Sequence, residues 1–211
     1  AALPETKHQR RSGPGTTTTD ESPPSTAWQD RARAFLAYAR EQLWTGAGRP
    51  GRDYLGEGGL TTETMRRFGL GWNSRDLWDD PQRWGLSGAR VYLPQGVVIP
   101  CEVSGNLWYV KVRRFEPEGS PRTQAGEKYG GPRGGKGALF GADRLRAACP
   151  ERRRMDGRPL LLCEGERDAL LAIQELADLV DVATLGGAGR RCLGHWLLWL
   201  LPARGLPIWR A

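Results

Sequence analysis

Glu164 and Asp168 are the residues whose type and spacing best suit chemistry in this chain. They lie in the segment LLLCEGERD, residues 160–168, in which a short apolar run precedes the acidic residues. An apolar run without alternation predicts a strand that is buried on both faces in a parallel sheet. Glu164 is therefore expected at the carboxyl end of a strand and Asp168 in the first turn of the following helix. Open α/β sheets usually bind their ligands at this edge.

These carboxylates have two possible roles. Negative charge near a helix N-terminus is stabilising without any chemistry, so the acids could serve only the helix. Alternatively they form part of a ligand-binding site. The helix itself is predicted from Glu166 onwards, because apolar residues recur at steps of three and four: Leu170, Ile173, Leu176 and Ala177.

The positive charge of the chain is concentrated in one region. The 211 residues carry a formal net charge of +7. Residues 105–154 contain twelve Lys or Arg and five Asp or Glu, whereas the rest of the chain holds nineteen of each kind. This basic region precedes the predicted strand that ends at Glu164. Such an arrangement suits an enzyme that attracts a polyanion and acts on it with metal-binding acids. A well-solvated basic surface is the alternative.

The N-terminal part shows signals for a tail and two helices. Residues 1–25 lack apolar periodicity and are expected to form a disordered tail or linker. Thr26 and Gln29 predict a capping box at the start of a first helix. A second helix should begin at Thr61 and end at Gly69 in a left-handed cap. The first helix is expected to be broken by the glycines that follow it, Gly46, Gly48 and Gly51.

Short strands are expected at residues 92–93, 97–100 and 107–114. The last of these alternates, so that Trp108, Val110 and Val112 face one way and Tyr109, Lys111 and Arg113 face the other. If the first set is core, Lys111 and Arg113 project together beside an aromatic residue, which suits contact with phosphates and bases. An ordinary sheet with one solvated face shows the same pattern.

A glycine-rich segment, KYGGPRGGKG, occupies residues 128–137. It contains a match to GxxxxGK, but Gly137 stands where a phosphate-binding P-loop needs Ser or Thr, and no buried strand precedes it. We therefore reject a P-loop here. A flexible loop carrying Lys128, Arg133 and Lys136 is expected to contact a polyanion or nucleotide, unless it is simply a mobile loop.

The order of elements predicts an α/β protein in two parts. Residues 26–150 should form a basic α+β subdomain, and residues 157–211 a parallel-sheet domain, with a hinge at 151–157. Strands of the second part are expected at 160–163, 180–185 and 206–209, with a helix at 190–201.

Several classes of protein are disfavoured. The four cysteines lack CxxC or CxxH spacing, so we expect neither a zinc site nor disulfides. The longest strongly apolar run, residues 196–201, is far too short to span a bilayer, and no leader segment is evident. A cytoplasmic location is therefore expected. The start at Ala1, without Met, suggests a fragment or processed chain.

The Glu-Gly-x-x-Asp motif between a strand and a helix, followed by strand, glycine turn, helix and strand, resembles a Toprim domain. Bacterial-type primases, topoisomerases and some nucleases share that domain. Over residues 30–210 the motif order resembles the RNA-polymerase domain of bacterial DNA primases and their phage and plasmid relatives. The supporting motifs are residues 60–71, the region from Pro94 and Gly105 to Arg113, Lys128-Tyr129, and Lys136 followed by Leu139-Phe140-Gly141.

The resemblance implies a partial Toprim fold whose acids bind Mg²⁺ or Mn²⁺, two ions in that family. It implies that Glu164 is the acid nearest the chemistry, as metal ligand or proton acceptor, and that Asp168 is its metal-side partner. Expected partners are a single-stranded DNA template, nucleoside triphosphates and a replicative helicase. The expected nucleotide- or nucleic-acid-binding residues are Lys111, Arg113, Lys128, Tyr129, Arg133 and Lys136.

Two departures from the family keep three functions open. These 211 residues include no zinc-binding module before the basic part, and they end at residues 209–211, where the third Toprim strand is expected to deliver an Asp-x-Asp pair. The leading hypothesis is a primase-type nucleotidyltransferase, or a fragment of one, that makes RNA primers. A Toprim nuclease would use Glu164 and Asp168 to hydrolyse phosphodiesters. The third possibility is a non-catalytic module that binds single-stranded nucleic acid.

Overall fold

The computed structural model of the chain describes residues 22–124, 128–147, 159–186 and 208–210. The predicted hinge at 151–157, the helix at 190–201 and most of the N-terminal tail lie outside these residues. The described helices are α1 Thr26–Leu43, α2 Arg49–Glu57, α3 Thr62–Arg67, α4 Ala142–Ala147 and α5 Glu166–Leu176. The described strands are β1 Gly71–Asn73, β2 Leu77–Asp79, β3 Val91–Leu93, β4 Gly96–Val103, β5 Asn106–Arg114, β6 Tyr129–Gly130, β7 Leu160–Cys163, β8 Asp181–Thr184 and β9 Ile208–Arg210.

The strands form three sheets that confirm the predicted α/β class. An antiparallel sheet has the order β1-β4-β5-β6, and β2 pairs with β3 in a separate antiparallel ribbon. The third sheet is parallel, with the order β8-β7-β9, so that β7 lies at its centre. The predicted strand before Glu164 is thus the middle strand of a parallel sheet. Across the described residues, no helix is long and apolar enough to cross a membrane.

Helix α1 begins one residue earlier than the predicted capping box. The hydroxyl of Ser25, rather than that of Thr26, accepts a hydrogen bond from the amide of Trp28 at 3.3 Å. The side chain of Gln29 instead donates to the carbonyl of Pro24 and accepts from the amide of Leu107. The predicted apolar face is buried as expected: Trp28, Ala32, Phe35, Leu36, Ala39 and Leu43.

Helix α2 was not expected, because glycine lowers helix propensity. The glycines here serve close packing. A Cβ on Gly48 would lie 2.3 Å from the carbonyl oxygen of Leu43, and a Cβ on Gly51 would lie 2.6 Å from Cε3 of Trp72. Gly51 therefore lies inside the helix, where it allows α2 to approach the buried Trp72.

Both predicted ends of α3 are confirmed. The hydroxyl of Thr61 accepts from the amide of Thr64 at 3.2 Å and caps the helix. Gly69 has a φ of +59°, and the amide of Leu70 donates to the carbonyl of Met65 at 2.9 Å. The amide of Gly69 also donates to the carbonyl of Arg66 at 3.0 Å, and the two bonds form a Schellman ending.

Strand β5 is covered on both faces, so the alternative of an ordinary sheet with one solvated face does not hold. Val110 and Val112 pack with the buried residues of α1. On the opposite side Tyr109 belongs to a core cluster that continues to Leu170 of α5, and Arg113 is only 9% exposed. The parallel sheet and α5 cover this face because the two predicted parts share one core.

Asp79, at the end of β2, joins the β2–β3 ribbon to α1. Its carboxylate accepts from Nε of Arg31 at 2.6 Å and from Nε1 of Trp84 at 2.9 Å. Burial would raise the pKa of this carboxyl, but the hydrogen bonds from Arg31, Trp84 and the amide of Asp80 together lower that pKa below its ordinary value. The charged form of Asp79 therefore stabilises the folded state.

We expect Asp79→Asn to lower the free energy of unfolding at pH 7 by about 1–3 kcal/mol, because hydrogen bonds to a charged group are lost. A carboxyl with a depressed folded-state pKa stabilises the fold above its ordinary pKa, and this stabilisation is lost as the pH falls through the folded-state value. The difference between wild type and variant should therefore shrink from about pH 4 downwards. Urea unfolding at several pH values measures it. Asp53→Asn, which alters an exposed pair with Arg49, is the matched control; a difference that does not change with pH would contradict the assignment.

Candidate functional site

The structure places Glu164 and Asp168 at the carboxyl edge of the parallel sheet, as predicted. Glu164 directly follows β7, and its backbone carbonyl accepts from the hydroxyl of Thr184 at 3.1 Å. The same hydroxyl accepts from the amide of Gly186 at 3.0 Å. Thr184 therefore ties the ends of β7 and β8 together and fixes the backbone that carries Glu164.

The carboxylates of both residues are accessible. Glu164 is exposed, and within the described ranges its carboxylate has no hydrogen-bond or ion-pair partner. The side chain of Asp168 is 59% exposed, and its Oδ1 lies 4.0 Å from Nε of Arg167. Exposed carboxylate oxygens are the donors that Mg²⁺ and Mn²⁺ prefer.

A divalent cation at this edge would need ligands besides these two residues. Among the residues described, no group of three or more His, Cys, Asp or Glu could hold a metal ion. Mg²⁺ commonly takes one or two carboxylates and completes its shell with water and substrate phosphates. The donor set of Glu164 and Asp168 fits such a cation, held jointly with a bound polyphosphate.

Glu166 lies between the two predicted acids in sequence, yet it is 2% exposed. Its carboxylate accepts from the hydroxyl of Tyr109 at 2.9 Å and from Nζ of Lys111 at 2.6 Å. Nζ of Lys111 also donates to the carbonyl of Gly186 at 2.8 Å. Burial raises the pKa of Tyr109 well above its ordinary value, so its hydroxyl remains a donor. Lys111, expected at a nucleic-acid surface, is thus part of an interior ion pair that joins β5 to α5.

Two arginines and two tyrosines lie beside the acidic edge and form what we call the tyrosine–arginine group: Tyr54, Arg113, Tyr129 and Arg167. The hydroxyl of Tyr54 accepts from Nε of Arg113 at 3.3 Å and from a terminal nitrogen of Arg167 at 3.1 Å. The guanidinium of Arg113 lies 5.4 Å from the ring centroid of Tyr129, which is 43% exposed. Because Arg167 precedes Asp168 directly, this positive charge lies next to a predicted metal ligand.

Lys128 and Tyr129 flank the same region. The backbone carbonyl of Lys128 accepts from Arg113 at 3.1 Å, while the Lys128 side chain is exposed. The ring of Tyr129 lies 4.4 Å from Nζ of Lys111. The structure therefore brings four of the predicted binding residues together, Lys111, Arg113, Lys128 and Tyr129.

The glycine-rich loop is anchored at a different place. The indole of Trp28 donates to the carbonyl of Arg133 at 2.9 Å, and the guanidinium of Arg133 donates to the backbone carbonyls of Ser87 and Ala89. Lys136 lies three residues further along this anchored loop. Arg133 thus holds the loop near the start of α1, and its guanidinium is engaged by backbone carbonyls.

An exposed aromatic pair was not singled out from the sequence. Trp78 of β2 is 52% exposed, and its ring centroid lies 5.0 Å from that of Tyr92 on the paired strand β3. The guanidinium of Arg114 lies 5.8 Å from the Tyr92 ring. A tryptophan on the solvent side of a three-residue strand is a weak signal, because periodicity cannot be judged over so few residues.

No protein-family model matches the sequence, and no curated protein is significantly similar to it. Solved structures are similar in fold. The RNA polymerase domain of Mycobacterium tuberculosis primase DnaG aligns with a TM-score of 0.60 and 16% identity over 87% of this chain and 64% of that chain. The chain has the fold of a primase RNA polymerase domain.

Two further primase structures extend this comparison. The Mycobacterium tuberculosis domain in complex with a double-stranded DNA oligomer with a 6-nucleotide overhang gives a TM-score of 0.62 and 17% identity, over 88% of this chain and 63% of that chain. A DnaG primase catalytic domain bound to single-stranded DNA gives a TM-score of 0.55 and 16% identity, over 77% of this chain and 56% of that chain. The chain therefore spans less than two thirds of these primase structures. The resemblance in fold that the motif order indicated is confirmed.

Proposed function

We propose that the chain is a catalytic part of a primase-like nucleotidyltransferase that makes short RNA primers on single-stranded DNA. The observation that carries this proposal is the placement of Glu164 and Asp168 at the carboxyl end of the central strand β7, within a primase-type fold. The carboxyl edge of a parallel sheet is where such folds bind ligands. The accessible carboxylates carry negative charge, and the adjoining tyrosine–arginine group carries positive charge.

The roles of the chain's own residues follow from their surroundings. The exposed carboxylate of Glu164 is available to accept a proton from an attacking hydroxyl or to ligate a cation. A bound Mg²⁺ would neutralise phosphate charge and lower the pKa of a ligated hydroxyl. Arg167 and Lys128 lie where they can attract a triphosphate. The ion pair of Glu166 and Lys111 holds α5 against β5 next to this position.

The aromatic pair of Trp78 and Tyr92 is a candidate surface for stacking an unpaired base. We expect Trp78→Ala to weaken binding of a single-stranded oligonucleotide by about 1–3 kcal/mol, because base–aromatic stacking is lost. The melting temperature should change little, since half of the Trp78 side chain is exposed. Fluorescence anisotropy with a labelled oligonucleotide measures the affinity.

Tyr38→Ala provides the control for this substitution, because Tyr38 is 37% exposed on α1 and lies outside the aromatic pair. It should leave the affinity unchanged. Equal losses in the Tyr38 and Trp78 variants, or no loss in either, would remove this pair from the proposed template surface.

The test of the proposed function is primer synthesis from labelled nucleoside triphosphates on single-stranded DNA. We expect short RNA products in the presence of Mg²⁺ and none when EDTA is added. Shortening of the DNA itself would instead favour a Toprim nuclease.

A non-catalytic module that binds single-stranded DNA is the second candidate. It is favoured by one observation, that in the described part of the chain the acidic edge has only two accessible carboxylates and no group of three metal-ligating residues. Salt-sensitive binding of DNA without RNA synthesis, unaffected by EDTA, would support this candidate over the first.

A further inference from the structure

A second concentration of positive charge lines a cavity that shares no residue with the acidic edge. The cavity has a volume of about 390 Å³ and lies between the ends of α1 and α3, strand β4 and the start of α4. We call it the arginine pocket, after the four arginines in its wall: Arg40, Arg66, Arg67 and Arg144. Small-ligand sites in proteins usually have volumes in this range.

The two acidic residues in the wall leave much of this charge unpaired. Both carboxylate oxygens of Asp143 accept from the amide of Ser104, at 2.8 and 3.0 Å. The carboxylate of Glu102 lies 3.9 Å from Arg40. Within the described ranges, the guanidinium groups of Arg67 and Arg144 make no hydrogen bond and no ion pair.

Arg67 and Arg144 repel each other, and the carboxylates of Asp181 and Asp178 offset this repulsion only in part. Burial, and then the positive charge of Arg67, lower the pKa of Arg144 below its ordinary value. An anion between the two guanidinium groups would relieve this repulsion. Arginine donates two parallel hydrogen bonds to a phosphate, so the pair suits a ligand with adjacent phosphate groups.

Aromatic residues and a glycine complete the pocket. The rings of Phe68 and Phe140 stack with centroids 6.3 Å apart and an interplanar angle of 25°. A Cβ on Gly69 would lie 2.5 Å from a guanidinium nitrogen of Arg40, so any other residue would displace Arg40 from the wall. The pocket thus combines guanidinium groups, which bind phosphate, with an apolar patch.

We propose that the arginine pocket binds the diphosphate or triphosphate group of a free nucleotide. Elements on several sides bound the cavity, which suits a small molecule better than a continuous nucleic-acid strand. The arginine pocket is distinct from the acidic edge, because the two sites share no residue. Arginines can bind a phosphate group without a carboxylate or a metal ion. Its occupancy therefore does not depend on the proposed primer synthesis.

Isothermal titration with ADP, ATP and inorganic pyrophosphate tests this proposal. EDTA is present throughout, so that Glu164 and Asp168 cannot hold a cation. We expect the wild-type chain to bind, and Arg67→Ala and Arg144→Gln each to weaken binding roughly tenfold or more, the loss of about one charge-assisted contact. Arg49→Ala, which alters an exposed arginine outside the pocket, and Glu164→Gln should bind as the wild type does.

Thermal melting of each variant tests whether it is folded. Arg144→Lys keeps the positive charge but not the planar guanidinium group, so it should lose less affinity than Arg144→Gln. The proposal is overturned if none of the three ligands binds at millimolar concentration, or if Arg67→Ala and Arg144→Gln bind normally. It is also overturned if Glu164→Gln abolishes binding, or if only a single-stranded oligonucleotide binds in a manner that depends on Arg67.

Discussion

Glu166→Gln is expected to lower the free energy of unfolding by about 3–5 kcal/mol, because it leaves Lys111 charged and unpaired in the interior. The ion pair is short, at 2.6 Å, and the two side chains are 16% and 2% exposed. Since Lys111 is on β5 and Glu166 is on α5, the loss should loosen the contact between the antiparallel sheet and the parallel sheet. Urea unfolding followed by tryptophan fluorescence measures the effect.

The same substitution two residues earlier is the matched control for Glu166→Gln. Glu164→Gln changes an exposed carboxylate without a partner among the described residues, so the free energy of unfolding should change by only about 0.5 kcal/mol. Lys111→Met combined with Glu166→Gln should recover part of the lost stability, because the unpaired charge is removed while the amide can still accept from Tyr109. Equal stability of Glu164→Gln and Glu166→Gln would show that the buried pair does not hold the fold together.

Glu164→Gln, which should hardly change the stability, is expected to have a large effect on the proposed primer synthesis. Glu164→Gln should reduce the rate of primer synthesis by roughly 10²–10⁴-fold, the usual contribution of a group that takes part in proton transfer. Asp168→Asn should also reduce the rate, and the loss should be partly overcome by higher Mg²⁺ concentration if Asp168 acts only through the cation. Steady-state rates of nucleotide incorporation on single-stranded DNA measure both effects.

Glu175→Gln is the control for the catalytic substitutions, because Glu175 is an exposed carboxylate on α5, the helix that carries Asp168, and accepts a hydrogen bond from Gln174. It should retain the wild-type rate. If Glu164→Gln and Glu175→Gln incorporate nucleotides equally well, Glu164 is not at the site of chemistry, whatever the fold.

Features decided by local hydrogen bonds could be predicted from the sequence. Both ends of α3 depend on groups within a few residues, the Thr61 hydroxyl at one end and Gly69 with Leu70 at the other. The strand before Glu164 could also be predicted, because an unbroken apolar run is typical of a central parallel strand. Strand β7 therefore places Glu164 where the sequence pattern indicated.

Features decided by contacts distant in sequence could not be predicted. Glu166 is 57 residues from Tyr109 and 55 from Lys111, and nothing in the spacing of the EGERD segment distinguishes the carboxylate that becomes buried from those that stay exposed. Helix α2 forms because Gly51 packs against Trp72, a tertiary contact that overrides the low helix propensity of glycine. Arg133 likewise appeared available for a ligand, because its acceptors are backbone carbonyls more than forty residues away.

Binding of Mn²⁺, followed by electron paramagnetic resonance, most directly tests the claim that Glu164 and Asp168 form a metal-dependent phosphoryl-transfer site. We expect the wild-type chain to bind Mn²⁺, and to bind it more tightly when a nucleoside triphosphate is present, because phosphate oxygens complete the ligand set. Glu164→Gln and Asp168→Asn should each abolish or strongly weaken this binding, while Glu175→Gln should retain it. Mn²⁺ binding that is unchanged in both Glu164→Gln and Asp168→Asn would contradict the account.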